Sequence, residues 1–260
     1  MPFHRPLVSP QTPQRSLLTH CGVFAFAMVA AAALSLSTAE QAQAQVPIDL
    51  GVAAVGYYGG SFLDEPDDKL ITVGGGQAEA VYPGFAGFGD LGGGLTLDFR
   101  AFGIVGLETG VIFANHEASG EINDVDITIK QSALHIPLLL KLVVPTAVVR
   151  PNFFFGVEFV LPQDASATAS RPIFPDGLTA TADPYTMLAF GFGLEFALPI
   201  VGVDLRIPLA IRGGYNIDDS GELEDRVSFG LDGFTVRSAE FNAAYQWHAS
   251  VTLGLAYYFL

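Results

Sequence analysis

The sequence predicts an all-β chain: an antiparallel, up-and-down transmembrane β-barrel, of eight strands, behind a cleaved signal peptide. Three observations predict it. After the first 44 residues, apolar and polar residues alternate with a period of two, in segments broken by Gly, Pro and Asp clusters. The connections between segments alternate between short and long. The one face is bulky and apolar, while glycines such as Gly92, Gly94, Gly106, Gly110, Gly156, Gly191, Gly193 and Gly254 crowd the other. An eight-strand interior has little room, so the small, polar face belongs inside and the apolar face outside.

Composition agrees. Of 260 residues, 50% are apolar and 15% charged, with 29 glycines and 16 prolines. Twenty-seven acids against twelve bases give a formal charge of −15, which excludes the electrostatic footprint of a nucleic-acid binder.

Residues 1–44 read as a secretory leader. Arg5 and Arg15 precede an apolar run over residues 22–36, and Ala42-Gln43-Ala44 is a small-x-small cleavage site, so cleavage is expected after Ala44. The run is short for a bilayer span. Cys21, the single cysteine, leaves with the leader, so the mature chain has neither disulfides nor thiol chemistry. Residues 45–260 form the barrel domain.

The strands follow in order. Ile48, Leu50, Val52 and Ala54 oppose Asp49, Gly51 and Ala53 in the first. Leu91, Leu95, Leu97 and Phe99 oppose Asp90, Thr96, Asp98 and Arg100 in the second; Val105, Leu107, Val111 and Phe113 oppose Glu108 in the third. In the fourth, Leu134 to Leu142 at every second position oppose His135 and Lys141. Phe153, Phe155, Val157 and Phe159 oppose Asn152 and Glu158 in the fifth; Leu188, Phe190, Phe192, Leu194 and Phe196 oppose Glu195 in the sixth. Val203 to Ile211 at every second position oppose Asp204, Arg206 and Arg212 in the seventh. In the last, Tyr245, Trp247, Ala249, Val251, Leu253, Leu255, Tyr257 and Phe259 oppose Gln246, His248, Ser250 and Thr252. Short turns fall near Phe102-Gly103, Val144–Ala147 and Ile200–Gly202; long loops span 63–88, 116–126, 163–183 and 217–239. A hairpin over 227–237 around Asp232-Gly233 sits inside the last loop, with arms too short for a bilayer; a ten-strand barrel is the lesser reading.

Tyr245, Trp247, Tyr257 and Phe259 are the expected aromatic girdle. The ten steps from Trp247 to Tyr257, at about 3.3 Å each and tilted about 40°, rise roughly 25 Å, the height of an apolar belt. The inward charges Asp49, Asp98, Arg100, Glu108, Lys141, Arg150, Glu158, Glu195, Asp204, Arg206 and Arg212 nearly balance, and are expected to form an ion-pair plug. The acidic surplus then lies in the long loops.

Residues 133–159 and 188–217, with Ile136-Pro137-Leu138-Leu139-Leu140-Lys141 and the Tyr215-Asn216 motif, resemble the PorT-like outer-membrane β-barrel families. The resemblance implies an eight-strand barrel and no single activity. Thr252–Phe259 resembles the terminal signal by which outer-membrane barrels are recognised by the assembly machinery. The expected partners are outer-membrane lipid, lipopolysaccharide and that machinery.

Candidate chemistry is sparse. His248 and Ser250 share a face, as in the His-x-Ser pair of outer-membrane lipid A deacylases, but no acid follows Ser250. His116 and His135 lack metal partners at ligand spacing, so no metal site is expected. Asn216–Gly221 starts like a calcium loop, yet Val227 stands where the closing Glu belongs. Gly74–Gly76 lacks the Lys-Ser/Thr of a phosphate loop and reads as a flexible loop. The leading expectation is a non-enzymatic outer-membrane protein without a cofactor. A lipid-modifying enzyme and a soluble ligand-carrying barrel are the alternatives.

Overall fold

The computed structural model describes residues 48–259, except 67–69, 74–75, 80–81, 83, 123, 221 and 233–234. The expected leader and its cleavage point after Ala44 lie outside the described residues. Eight strands close the barrel: β1 (Ile48–Leu63), β2 (Phe85–Ala101), β3 (Val105–Ile122), β4 (Val125–Val143), β5 (Val149–Ala169), β6 (Tyr185–Ile200), β7 (Val203–Asn216) and β8 (Trp247–Phe259). Each pairs antiparallel with its sequence neighbours, and β1 meets β8 from Leu50↔Phe259 to Phe62↔Trp247. Closure satisfies every strand edge, the condition for strands to cross a hydrocarbon layer. Among the described residues no helix is long and apolar enough to cross one.

The short turns stand where the sequence predicts them. Between β2 and β3 only Phe102 and Gly103 turn the chain, with φ of 56° and 64°, and Ile104 N–H donates to the Ala101 carbonyl at 3.1 Å. That geometry suits the right-handed twist of the paired strands.

At the other rim the strands are longer than predicted. Bilayer crossing needs about 9–11 residues per strand. Yet β3, β4 and β5 have 18, 19 and 21 residues. The expected loop over 116–126 is mostly strand, ending in a tight turn at Asp124, whose φ is 59°. Polar Asn115, Glu117, Ser119 and Lys130 kept the period of two but lost the apolar signal. The Gly74–Gly76 stretch, read as loop, borders a small hairpin pairing Leu70–Val73 with Gly76–Glu79. The hairpin around Asp232 is present, as Val227–Asp232 with Thr235–Asn242. It joins Gly177–Thr181, parallel to its second arm, in a separate three-stranded sheet and leaves the barrel at eight strands. Arg237 clips that sheet to Asp176 by two bonds of 2.6 and 3.0 Å, and its guanidinium holds the Asp176 carboxyl below its ordinary value.

Along β3, β4 and β5 the polarity of the two faces inverts. Near the short turns Leu107, Val111, Phe113, Leu140, Phe153 and Phe155 point out and are exposed, while the inward positions are polar. Farther up, the exposed residues are Asn115, Glu117, Ser119, Lys130, Asp164 and Ser166, while Ala118, Ile127, Ile129 and Ala167 are buried inside. There they join Leu63, Phe85, Leu223, Val227 and Phe241 in an apolar core under the loop sheet. Bulges mark the change in two strands. Gly89, at φ 122°, is the extra residue of β2, so Phe88 faces out while Asp90, two residues on, is buried. Glycine is needed there because a side chain disfavours that φ. In β5 the pairing skips Gln163, and the outward phase passes from odd to even residues.

Tyr245 corrects the expected girdle. It is 1% exposed, sits in the apolar core and donates from its hydroxyl to the Ile129 carbonyl at 3.2 Å. The residues between Asn242 and Trp247 leave the ladder, so alternation counted back from Trp247 does not reach it. Trp247, Tyr257 and Phe259 do face outward, at 41%, 39% and 47% exposed.

Candidate functional site

The lumen holds the chain's concentration of polar chemistry, in two tiers. Nearer the short turns lies an ion-pair network built from alternate residues of six strands. Asp98 and Glu108 are direct cross-strand partners, a like-charge pairing that costs stability unless a cation intervenes. Lys141 Nζ supplies it, donating to Asp98 Oδ2 at 2.8 Å and to Glu108 Oε2 at 2.6 Å. Arg100 forks onto both oxygens of Asp98 (2.9 and 2.6 Å) and both of Glu195 (2.8 and 2.5 Å). Arg206 grips Asp204 at 2.9 and 2.5 Å and lies 3.6 Å over the Tyr258 ring. Arg212 reaches Glu158 at 2.8 Å and Glu108 at 3.2 Å. Bidentate guanidinium–carboxylate pairs of this kind are the strong ones.

Nine of the eleven inward charges expected in the plug thus come together. Arg150 does not: it sits half-buried at the short-turn rim and donates to the Thr146 carbonyl at 3.1 Å. Asp49 is also half-buried there, and neither joins the network among the described residues. Both occupy the last inward positions before the chain reaches water, which competes for their charges. A cavity of about 40 Å³ remains, lined in part by Glu108, Lys141, Asn152 and Arg212. Asn152 Oδ1 and Arg212 Nε have no protein partner among the described residues, so a few waters there would have polar groups to bind.

The second tier lies above and was not legible from spacing. His116, His135 and His248 come from β3, β4 and β8, with Tyr57 and Ser61 from β1 and Asp90 from β2; all six are at least nine-tenths buried. His116 Nδ1 lies 2.9 Å from Asp90 Oδ2, and His116 Nε2 lies 2.8 Å from His135 Nε2. His135 Nδ1 lies 2.6 Å from Glu158 Oε1, which links this tier to the ion pairs. The Tyr57 hydroxyl touches His248 Nε2, and the two rings stack at 5.6 Å. Ser61 Oγ donates to Asp90 Oδ2 at 2.7 Å. The ligand atoms of Asp90, His116 and His248 all lie within 4.8 Å of one another. Alternation places each histidine inside; their shared height depends on register across five strands.

Ser250 Oγ is buried with no hydrogen-bond partner among the described residues, so it makes no bond to His248. In the calcium-loop-like stretch, Asn216 Oδ1 accepts from Asp218 N–H at 3.0 Å, and Asp218 Oδ2 accepts from Thr186 N–H at 2.7 Å. Asp219 pairs with Arg226 at 2.9 Å.

No family model matches the chain, and no curated protein matches it. Among solved structures it is similar to the N-terminal β-barrel domain of Pseudomonas aeruginosa OprF, at 12% identity over 83% of this chain and 100% of that one, with a TM-score of 0.37. The outer membrane protein OprG of Pseudomonas aeruginosa is 13% identical over 84% of this chain and 99% of its own, with a TM-score of 0.41. The outer membrane protein AlkL, solved in lipid bilayers, is 14% identical over 85% and 94%, with a TM-score of 0.40. The barrel assignment rests on this chain's own strand order and closure.

Proposed function

We propose that this chain is an integral outer-membrane β-barrel protein, without enzymatic activity, whose filled lumen bars passage and whose outward half meets partners at the cell surface. The observation that carries the reading is the inversion along β3, β4 and β5. An apolar exterior over a polar interior suits hydrocarbon, and the reverse arrangement above it suits water. A soluble carrier would have no use for a belt that leaves Leu95, Phe153 and Leu253 each more than half exposed. The strand pattern around Ile136–Lys141 and Tyr215-Asn216 supports placement with the PorT-like barrels. Trp247, Tyr257 and Phe259 would meet lipid at the belt's edges, with lipopolysaccharide outside them. The end of β8, with its outward aromatics, is the segment we assign to the assembly machinery.

The test is fractionation followed by planar-bilayer recording. The protein should stay in the membrane pellet through carbonate and urea washes, migrate faster unboiled than boiled on SDS gels, and give no steady current. Release by the washes would overturn the membrane reading. A stable, large unitary conductance from pure folded protein would overturn the filled lumen. Lipid A of unchanged mass in cells with and without the protein supports the non-enzymatic reading; a lost acyl chain would replace it with a deacylase.

A further inference from the structure

The hydrogen-bond chain through the histidine tier is one cation short. Glu158 is held by Arg212 at 2.8 Å, so it is a carboxylate and accepts. His135 therefore donates from Nδ1, and its Nε2 keeps the lone pair. His116 Nε2, 2.8 Å away, must then be the donor in that contact. A neutral imidazole has one N–H. That leaves a lone pair on His116 Nδ1, aimed at Asp90 Oδ2 only 2.9 Å off, where both atoms are acceptors. Ser61 lies 2.7 Å from one and 3.0 Å from the other, but its single hydrogen serves only one of them. Asp90 is pinned in place, because its Oδ1 accepts the Glu117 N–H at 3.0 Å.

We propose that Asp90, His116 and His248 bind one divalent transition-metal ion of the zinc class inside the barrel. A proton between His116 and Asp90 would settle that contact alone. It gives no reason for His248 to bring a third ligand atom within 4.8 Å of both. Two zinc–ligand bonds of about 2.0–2.1 Å at a tetrahedral angle hold their ligand atoms about 3.4 Å apart, so the His116–Asp90 contact would open from 2.9 Å while His248, within 4.8 Å of both, settles at the same spacing. The Tyr57 hydroxyl, in contact with His248 Nε2, is placed to supply a fourth ligand. Two imidazoles and one carboxylate favour zinc and its neighbours over calcium or magnesium, which prefer all-oxygen sets. The surroundings match what metal-binding histidines require. His116 passes its remaining N–H to His135, and His135 passes its own to Glu158, a relay that fixes the tautomer. The ligands come from β2, β3 and β8, and β1 lies between β8 and β2 at the seam where the barrel closes. The ion would clip that seam.

The experiment uses the protein unfolded in urea with EDTA, desalted, and refolded into detergent with or without Co²⁺. The wild type should retain about one Co²⁺ per chain after desalting and show the intense visible bands of a four-coordinate site. Its unboiled, fast-migrating band should survive to a higher temperature with Co²⁺ than without. His248→Gln should lose the retained Co²⁺ and the temperature shift, yet still give the fast band in metal-free buffer. Folded wild type that retains no Co²⁺, or that shows only the pale spectrum of six-coordinate ion, overturns the proposal. So does equal retention by His248→Gln. If that variant fails to close, Asp90→Asn takes its place, and wild-type retention and spectrum decide by themselves.

Discussion

Arg100→Met tests the lumen network where it is densest. Arg100 is 1% exposed and donates four charged bonds, two to Asp98 and two to Glu195. Methionine fills much of the same volume and supplies no charge. Asp98 and Glu195 would then lean on Lys141, at 2.8 and 3.4 Å, which already serves Glu108 at 2.6 Å. Removing one partner of a buried ion pair costs about 3–5 kcal/mol, and the shared lysine puts this case at the lower end, about 3 kcal/mol. With a urea slope of about 2 kcal/mol per molar, the unfolding midpoint should fall by about 1.5 M. The assay is the unboiled SDS-gel shift followed across a urea series in detergent. Arg100→Met with Glu195→Gln should recover at least half of the loss, because the double variant no longer buries an orphaned carboxylate. A midpoint unchanged by Arg100→Met refutes the reasoning. So does a double variant weaker than the single one, since that would make the carboxylates stabilising without their cation.

The remaining predictions concern the outer face, the strand contacts and the apolar core. Trp247, the only tryptophan, should be quenched in liposomes most strongly by lipids brominated near the headgroup; a flat depth profile would place it away from the belt's edge. Gly94→Val should prevent closure, because even a Cβ would lie 2.0 Å from the Val111 carbonyl oxygen and 2.6 Å from Ile112 Cα; a normal yield of heat-modifiable protein would contradict that. Phe241→Ala should cost the loop core about 3–5 kcal/mol and open residues 217–246 to protease, while the barrel still migrates as the folded form; resistance equal to the wild type would show that Phe241 does not hold the loop sheet down.

Much of the barrel was legible because lipid and lumen impose opposite demands on successive residues. Leu138, Phe155 and Leu253 announce the outer face by size, and Arg100, Glu158 and Arg206 announce the inner one by charge. Legibility stopped where the outside becomes water. Asn115, Glu117 and Ser119 continue β3, but polar residues facing solvent read as loop. Alternation also carries no memory across a break, which is how Tyr245 was assigned to the lipid side. The histidine tier was hidden for another reason. Facing is a property of one strand, whereas the height at which residues 57, 90, 116, 135 and 248 meet is a property of register around the ring. Arg150 shows the limit at the rim, where an inward position no longer means a dry one.

The unequal strands give the barrel a lopsided rim. β5 has eight residues more than β8, 21 against 13. At about 3.3 Å per residue and a tilt of about 40°, that difference raises one flank by roughly 20 Å. The tall flank is a backboard of paired strands, its outer surface dressed with Glu117, Lys130, Ser119 and Thr128. The low flank, over β7 and β8, offers only the segment from Ile217 to Gln246. The two flanks therefore present different surfaces: a stiff ribbon on one side, and on the other a folded segment whose Leu223, Val227 and Phe241 are anchored on Ile127 and Ile129 of the ring.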